Sequence, residues 1–426
     1  MHNIPTRPRG RPLAAPRPCH QAILSLALLA AVPGGHAETP SFSALLRQAL
    51  TDAPRLLEQA ANVRAAEADA DQARAWNNPT LSATAENIGA PLSGGVSQRQ
   101  DTYTLTQVFE IGGKRAARID AERSKSAAAA VHDRQARIVY ANELAIAYAT
   151  AEAMQSRKAV ADADLARSFD DLRAVRALVD AGREAGLRLA QARAGAAAAE
   201  AAVQSADADA RGALEQLSAL AGAAQPLVRI DHTLLSAAAP PRPAAGWSED
   251  QAPALARAAA ERDVVAAQAK LEEKRWIPDI GVSVGVRKFG WTGETAKTIG
   301  LSANIPLFDN NQSGIAAARE RAGAAAMRVQ AARLEALAMR RSAIASVQAS
   351  ERRLGAAEQG ESAAVEAYRL GRIGYEAGKN PLMELLGIRR ALSEAQALTI
   401  DARLARVRAI ANLSTAEGRI AFGETP

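Results

Sequence analysis

The chain has 426 residues, of which 4% are aromatic, while the 48% that count as hydrophobic include its many alanines. That length could hold two or three ordinary domains, yet the shortage of aromatic side chains excludes a bulky aromatic core and favours long, closely packed alanine helices. The formal charge is +6, but the first 37 residues carry four arginines and no acid, so the rest stands at +2 and the case for a nucleic-acid partner lapses.

Residues 1–37 read as an export signal. Arg7, Arg9, Arg11 and Arg17 form a positive leader, "AILSLALLAAV" from Ala22 to Val32 is an apolar run too short to span a bilayer, and "GGHA" ending at Ala37 offers small residues for cleavage. The single cysteine, Cys19, precedes the run, so the processed chain is expected to have no thiol, disulfide or lipid anchor. Only His132 and His232 remain after it, which argues against a His/Cys metal cage; no cofactor and no metal site is expected.

A first structural repeat is expected over 38–222. A helical stretch at roughly 41–75 leads through Trp76 in "WNNPTLSATAENI" into a β-hairpin at 79–109, whose strands flank the polar loop "GAPLSGGVSQRQ". No proline occurs from residue 92 to 225, and a single helix from about Lys114 to Asp180 would be ~100 Å long. Gly182 marks its reversal, and a second helix returns to Gly222. A Pro-rich linker at 223–248 follows.

The second repeat, 249–422, has the same order, with a short tail at 423–426. A helix over 249–275 leads through Trp276 into a hairpin at 278–306, then into a proline-free run from 307 to 380, a reversal at Gly378 and a return to Gly418. Sliding the sequence over itself by 196 positions brings Leu105 onto Leu301, Ile119 onto Ile315, Arg123 onto Arg319, Gly182 onto Gly378 and Gly222 onto Gly418. In "IPDIGVSVGVRKFG" the residues alternate at strand period: Ile280, Val282, Val284 and Val286 lie on one side, and Gly281, Ser283, Gly285 and Arg287 on the other. The first set, with Ile299, Leu301, Ala303 and Ile305, forms a face without charge that suits lipid. Gly281, Ser283, Gly285, Ser302 and Asn304 suit water. Trp76 and Trp276 before the first strands, and Phe289 and Trp291 beyond the far end of the third, sit where membrane-interface aromatics sit.

Four strands are too few to close a barrel, and lipid cannot pair an open edge, so other copies must complete the sheet; three chains give twelve strands. The expected class is therefore an α+β membrane protein: long helices forming a helical barrel, and four strands per chain contributing to a trimeric transmembrane β-barrel. Catalysis is not expected. The sequence has no Walker loop, HExxH or GxSxG, and "EIGGKR" (110–115) lacks the glycine spacing and the Ser/Thr of a phosphate loop, reading better as a glycine turn out of a strand.

This arrangement resembles the TolC-type outer-membrane efflux channels. The resemblance is carried by "LTQVFEIGGKRAARI" (Leu105 to Ile119), "LSANIPLFDNNQSGIAAARER" (Leu301 to Arg321) and "YEAGKNPLMELLGIRRAL" (Tyr375 to Leu392), and it covers essentially the whole processed chain. The wording "EIGGKR" is most similar to the branch serving heavy-metal resistance-nodulation-division pumps. The resemblance implies a homotrimer in the outer membrane, extending into the periplasm and met there by an adaptor (membrane fusion) protein and an inner-membrane pump, with heavy-metal cations as one candidate cargo. It implies that Gly182, Ala185, Gly186, Gly378 and Lys379 form the adaptor-docking tips. It also implies a pore gate: Glu384 would project into the lumen, Tyr375 resembles the family's latch tyrosine, and Arg188 stands where that tyrosine's customary acidic partner would be. A second acid usual three positions after Glu384 is replaced by Gly387. A contact between Glu384 and Arg188 is the expected substitute. Two other readings stand beside this one: the outer-membrane channel of a drug efflux or type I secretion system, and an exported structural coiled-coil scaffold, which leaves the uncharged Val/Ile face unexplained.

Overall fold

The computed structural model describes residues 41–223, 225–236 and 246–423. The expected export signal, part of the Pro-rich linker and residues 424–426 lie outside them, and every described residue falls within one unit, Thr39–Pro426.

The first helical stretch is two helices, α1 (Phe42–Asp52) and α2 (Pro54–Gln72), rather than the one expected over 41–75. Ala53 between them is extended, with ψ 125°, because the ring of Pro54 clashes with a helical residue before it. The same break recurs in the second half, where Ala252 has ψ 124° and Pro253 opens α5 (Pro253–Lys274) after a single 3₁₀ turn, Glu249–Gln251. Two very long helices dominate: α3 (Lys114–Asp180, 67 residues) and α6 (Gln312–Glu376, 65 residues), each ~100 Å by the rise of an α-helix. Alongside them return α4 (Gly186–Ala221) and α7 (Leu382–Ala416).

Each long helix is flanked by two shorter helices stacked end to end. α4 terminates at Gly222, whose Cβ position is 3.3 Å from Cδ of Pro54 at the start of α2, and α7 terminates at Gly418, 3.4 Å on the same measure from Cδ of Pro253 at the start of α5. The main core lies midway along α3. Phe42, Leu45 and Leu46 of α1, Tyr140, Leu144 and Tyr148 of α3, Leu214 and Leu217 of α4, and Leu404 and Val407 of α7 are packed there around fully buried alanines. Small side chains let the helix axes approach closely, so alanine does here what bulky residues do in a globular core. The segment after α4 is strapped onto α3 by side chains: Glu152 accepts from the amides of Leu234 and Leu235 (2.7 and 3.0 Å), and Tyr148 donates to the carbonyl of His232 (2.9 Å).

The four strands, β1 (Thr80–Glu86), β2 (Gln100–Phe109), β3 (Ile280–Phe289) and β4 (Thr295–Ala303), form one antiparallel sheet in sequence order. β4 ends before Asn304 and Ile305, which are therefore outside the strand. Phe289 is the last residue of β3 rather than lying beyond it.

Candidate functional site

The sheet has two chemically different faces. The register aligns Leu81, Leu105, Val284 and Ile299 in one row and Gln107, Val282 and Leu301 in another, while the alternate rows carry Ser82, Thr104, Gly285 and Thr298, then Thr80, Thr106, Ser283 and Gly300. Paired residues of a sheet share a face, so one face is apolar and the other is small and polar. The apolar face is bare: Ile299 is 85% and Leu301 74% exposed. Backbones crowd on the polar side, where a Cβ at Gly285 would lie 2.5 Å from the carbonyl oxygen of Tyr103. The apolar face is not free of charge, as the sequence suggested. Lys297 pairs with Val286 and so belongs to it, at the start of β4 ahead of the Ile299 and Leu301 that the alternation picked out.

At the end of the sheet next to the helices, Trp76 meets Phe109 edge-on at 6.2 Å and Arg115 lies 4.9 Å over the indole, while Trp276 is exposed. At the opposite end, Phe289 and Trp291 lie 5.9 Å apart. By alternation Phe289 points with Gly285 and Arg287, on the polar face, so of this pair Trp291 is left as the candidate for an outward-facing aromatic. Phe109 completes the inner pair; its signal was the alternation of "TYTLTQVF" itself. The sheet is fastened to the helices by Lys114 to Asp279 (2.9 Å) and Arg118 to Glu110 (2.6 Å).

The opposite end of the long helices holds the two reversals. After α3 the amide of Gly182 donates to the carbonyl of Val179 (2.9 Å) and that of Arg183 to Leu178 (2.8 Å); after α6, Gly378 donates to Tyr375 (2.9 Å) and Lys379 to Gly374 (2.8 Å). These are the two paired bonds of a Schellman cap, which needs a left-handed residue. Gly182 has φ +72° and Gly378 φ +68°, and nothing lies within 4 Å of either Cβ position, so backbone conformation and not space demands glycine. Ala185 is the N-cap of α4 and Gly186 its first residue, both exposed, as is Lys379.

The expected gate residues are not brought together. Arg188 donates to Gln191 (3.1 Å) on its own helix, and Glu384, exposed in the first turn of α7, makes no ion pair among the described residues. The two make no contact with each other within this chain, where Arg188, only partly exposed, is taken up by Gln191 on its own helix. Tyr375 instead packs beside Val175, Ala192 and Leu382, with its hydroxyl buried and unpartnered. Burial, then Glu184 and Asp171, push its pKa up.

What joins the two hairpins near the tips is a residue the sequence did not single out. Arg389 of α7 is 9% exposed and reaches Asp171 (2.8 Å) and Asp164 (3.5 Å) of α3, while Ser393 donates to Asp164 (3.0 Å). Burial raises the Asp171 pKa, against the lowering by Arg389. Farther from the tips, Arg157 grips Asp401 through both carboxylate oxygens (2.5 and 2.6 Å). Partners more than 200 residues apart leave no local signal. Neither histidine takes part: His132 lies 3.4 Å from Glu261 of α5, and among the described residues no group of His, Cys, Asp or Glu is placed to hold a metal ion. No helix among them is long and apolar enough to cross a membrane.

The chain is 52% identical over 424 residues to the nickel-cobalt-cadmium resistance protein NccC of Alcaligenes xylosoxydans xylosoxydans, covering 99% of this chain and 96% of the relative. It is 54% identical over 391 residues to the nickel and cobalt resistance protein CnrC of Cupriavidus metallidurans, covering 91% and 93%. The outer membrane protein VceC of Vibrio cholerae has the same fold, with a TM-score of 0.72 at 21% identity over 89% of this chain and 96% of that one. The profile of the outer membrane efflux protein family matches residues 45–223 and 248–419. A bare apolar sheet face at one end, long helices that reverse at the other, and these matches across nearly the whole chain place the protein in the outer membrane with its helices in the periplasm, and the chain belongs to the outer membrane efflux protein family.

Proposed function

We propose that this protein is the outer-membrane channel of a tripartite system that expels divalent heavy-metal cations, nickel and cobalt first among them. The observation that carries the cargo is the 52% identity to NccC along almost the full length of both chains. A drug or type I secretion cargo has no comparable support. Three copies complete the barrel: β1 and β4 each leave one edge unpaired, lipid cannot satisfy it, and twelve strands close where four cannot. The residues at 38–222 and 249–422 act as two repeats, so the trimer presents six reversals. The turns at Gly182, Ala185 and Gly186 and at Gly378 and Lys379 meet the adaptor, and an inner-membrane pump of the resistance-nodulation-division type loads it. Glu384, exposed and uncommitted at the start of α7, lines the narrow end as one ring of carboxylates that favours cations. Removing the gene from its host tests the reading: nickel and cobalt should accumulate and growth at elevated metal should fail, restored by this chain together with its pump. Unchanged metal tolerance, or loss of tolerance to organic drugs only, would overturn it.

A further inference from the structure

The end of the sheet remote from the helices carries two lysines that no acid among the described residues pairs with. Lys288 of β3 is directly across from Asp101 and Thr295, and Lys297 of β4 from Val286, so the two lysines are diagonal neighbours on the apolar face. Diagonal positions are roughly 7 Å apart at Cβ. Both lysines are exposed, and among the described residues neither makes an ion pair or a hydrogen bond. Asp101, the one acid opposite Lys288, is already held by Arg99 at 3.0 Å. Tyr103 of β2, half-exposed and paired with Val286, is the diagonal neighbour of Lys288 on its other side.

Completing the sheet with further copies would not quench these charges. Any β1 strand continuing the apolar face beside β4 brings Leu81, Ala83 and Ala85 to that face, and none is acidic. Two unpaired ammonium groups facing the same way next to a low-dielectric band repel each other, unless an anion lies between them. Directly below them runs the row Leu81, Leu105, Val284 and Ile299, which suits acyl chains. The ligand is thereby specified as amphipathic, with its anionic part at the outer border of the bilayer, since the helices occupy the periplasmic side.

We propose that Lys288, Lys297 and Tyr103 together bind the phosphate-bearing headgroup of an outer-leaflet lipid. The two ammonium groups and the phenol O–H donate to phosphate oxygens, and the lysine stems cover the first methylenes of the chains. The inference rests on the placement of the sheet in the outer membrane and not on the cargo, so its test is independent of metal transport.

Native mass spectrometry of the detergent-solubilised full protein would measure binding of three probes: bisphosphorylated lipid A, the same lipid with its phosphates removed, and inorganic phosphate. Bisphosphorylated lipid A should bind best. Lys288→Gln and Lys297→Gln should each weaken it about fivefold, as expected for one lysine near an anionic headgroup surface, and the pair about 25-fold. The double Lys→Arg variant should retain binding, and Tyr103→Phe should weaken it less than either lysine change. The single variants keep the test usable if the double Gln variant does not assemble. Undiminished binding in the single Gln variants, or equal binding of the dephosphorylated lipid, would overturn the proposal; inorganic phosphate saturating the site as readily as the lipid would mean a free-anion site and overturn it too.

Discussion

At both periplasmic reversals the backbone is the same and the surroundings are not. Gly182 and Gly378 close equivalent caps with bonds of 2.8 to 2.9 Å, yet the helix that follows starts in opposite environments. In α7 one face of the first turns is buried, with Leu382, Leu385 and Arg389 packed inward and Gly371 of α6 so close that a Cβ would meet Ile388 at 2.8 Å, while Met383 and Glu384 on the other face stay exposed. In α4 the corresponding start is open: Ala185 and Gly186 are exposed, and Leu187 shows 66% of its surface. Glycine fixes the turn through φ alone and leaves its neighbours free to diverge. The second hairpin is thus pinned to α3 by a buried arginine, while the first lacks such an anchor and shows the more exposed apolar residue at its start, Leu187 at 66% against Met383 at 49%.

The largest expected way to break this contrast is Arg389→Ala. It leaves Asp171 and Asp164 facing a buried void, and loss of one partner of a buried pair costs about 3 kcal/mol. Hydrogen exchange should show the start of α7 opening more readily by that amount while the start of α4 is unchanged; equal loosening of both would mean the hairpins are not separately anchored. Next in size, Gly182→Ala and Gly378→Ala should each cost about 1 kcal/mol, the penalty for a Cβ in the left-handed region, and should cost the same because neither site has a neighbour to clash with. A clear inequality would show that the caps are not equivalent. Smaller still, Leu187→Ser should change folding stability by less than about 0.5 kcal/mol, as for most exposed substitutions, yet weaken capture of the adaptor protein in a pull-down. Undiminished capture would remove α4 from the docking surface.

The smallest effect is pH-dependent. Asp171 has its pKa raised above the usual 3.8, chiefly by burial, so the folded chain holds this proton more tightly than the unfolded one. Its contribution to stability is then fully present below 3.8 and is lost as the pH rises through the elevated folded value. Acidification from neutral pH should tighten the contact between α3 and α7 through this group, an increment that Asp171→Asn should abolish; exchange at α7 that quickens in acid for the native chain, but not for Asp171→Asn, would contradict this.

Much of this architecture was legible because a few residues have no alternative conformation. Gly182, Gly222, Gly378 and Gly418 all take positive φ and end the helices where the sequence placed those ends. Alternation placed Val282, Val284 and Val286 on one face without help from any distant residue. The breaks at Ala53 and Ala252 were legible in principle from Pro54 and Pro253, but proline at the first position of a helix looks the same whether or not another helix precedes it. The polar joints were hidden for a different reason. Arg389 and Asp171 lie 218 residues apart, and only the packing of α7 against α3 decides that they meet. The pairing of Glu384 with Arg188 came from analogy rather than from local signal, and within the chain the partly buried arginine meets Gln191 three residues away instead.

The stacked helices beside α3 and α6 carry a mechanical consequence. A torque applied at either reversal travels along an unbroken hydrogen-bonded rod toward the sheet, whereas in the neighbouring column it reaches the junction of Gly222 with Pro54, or of Gly418 with Pro253, where packing alone joins one helix to the next. Each hairpin therefore pairs a stiff shaft with a jointed one, and twisting strain at the periplasmic end would be relieved at that joint, midway along the molecule, before it reached the membrane.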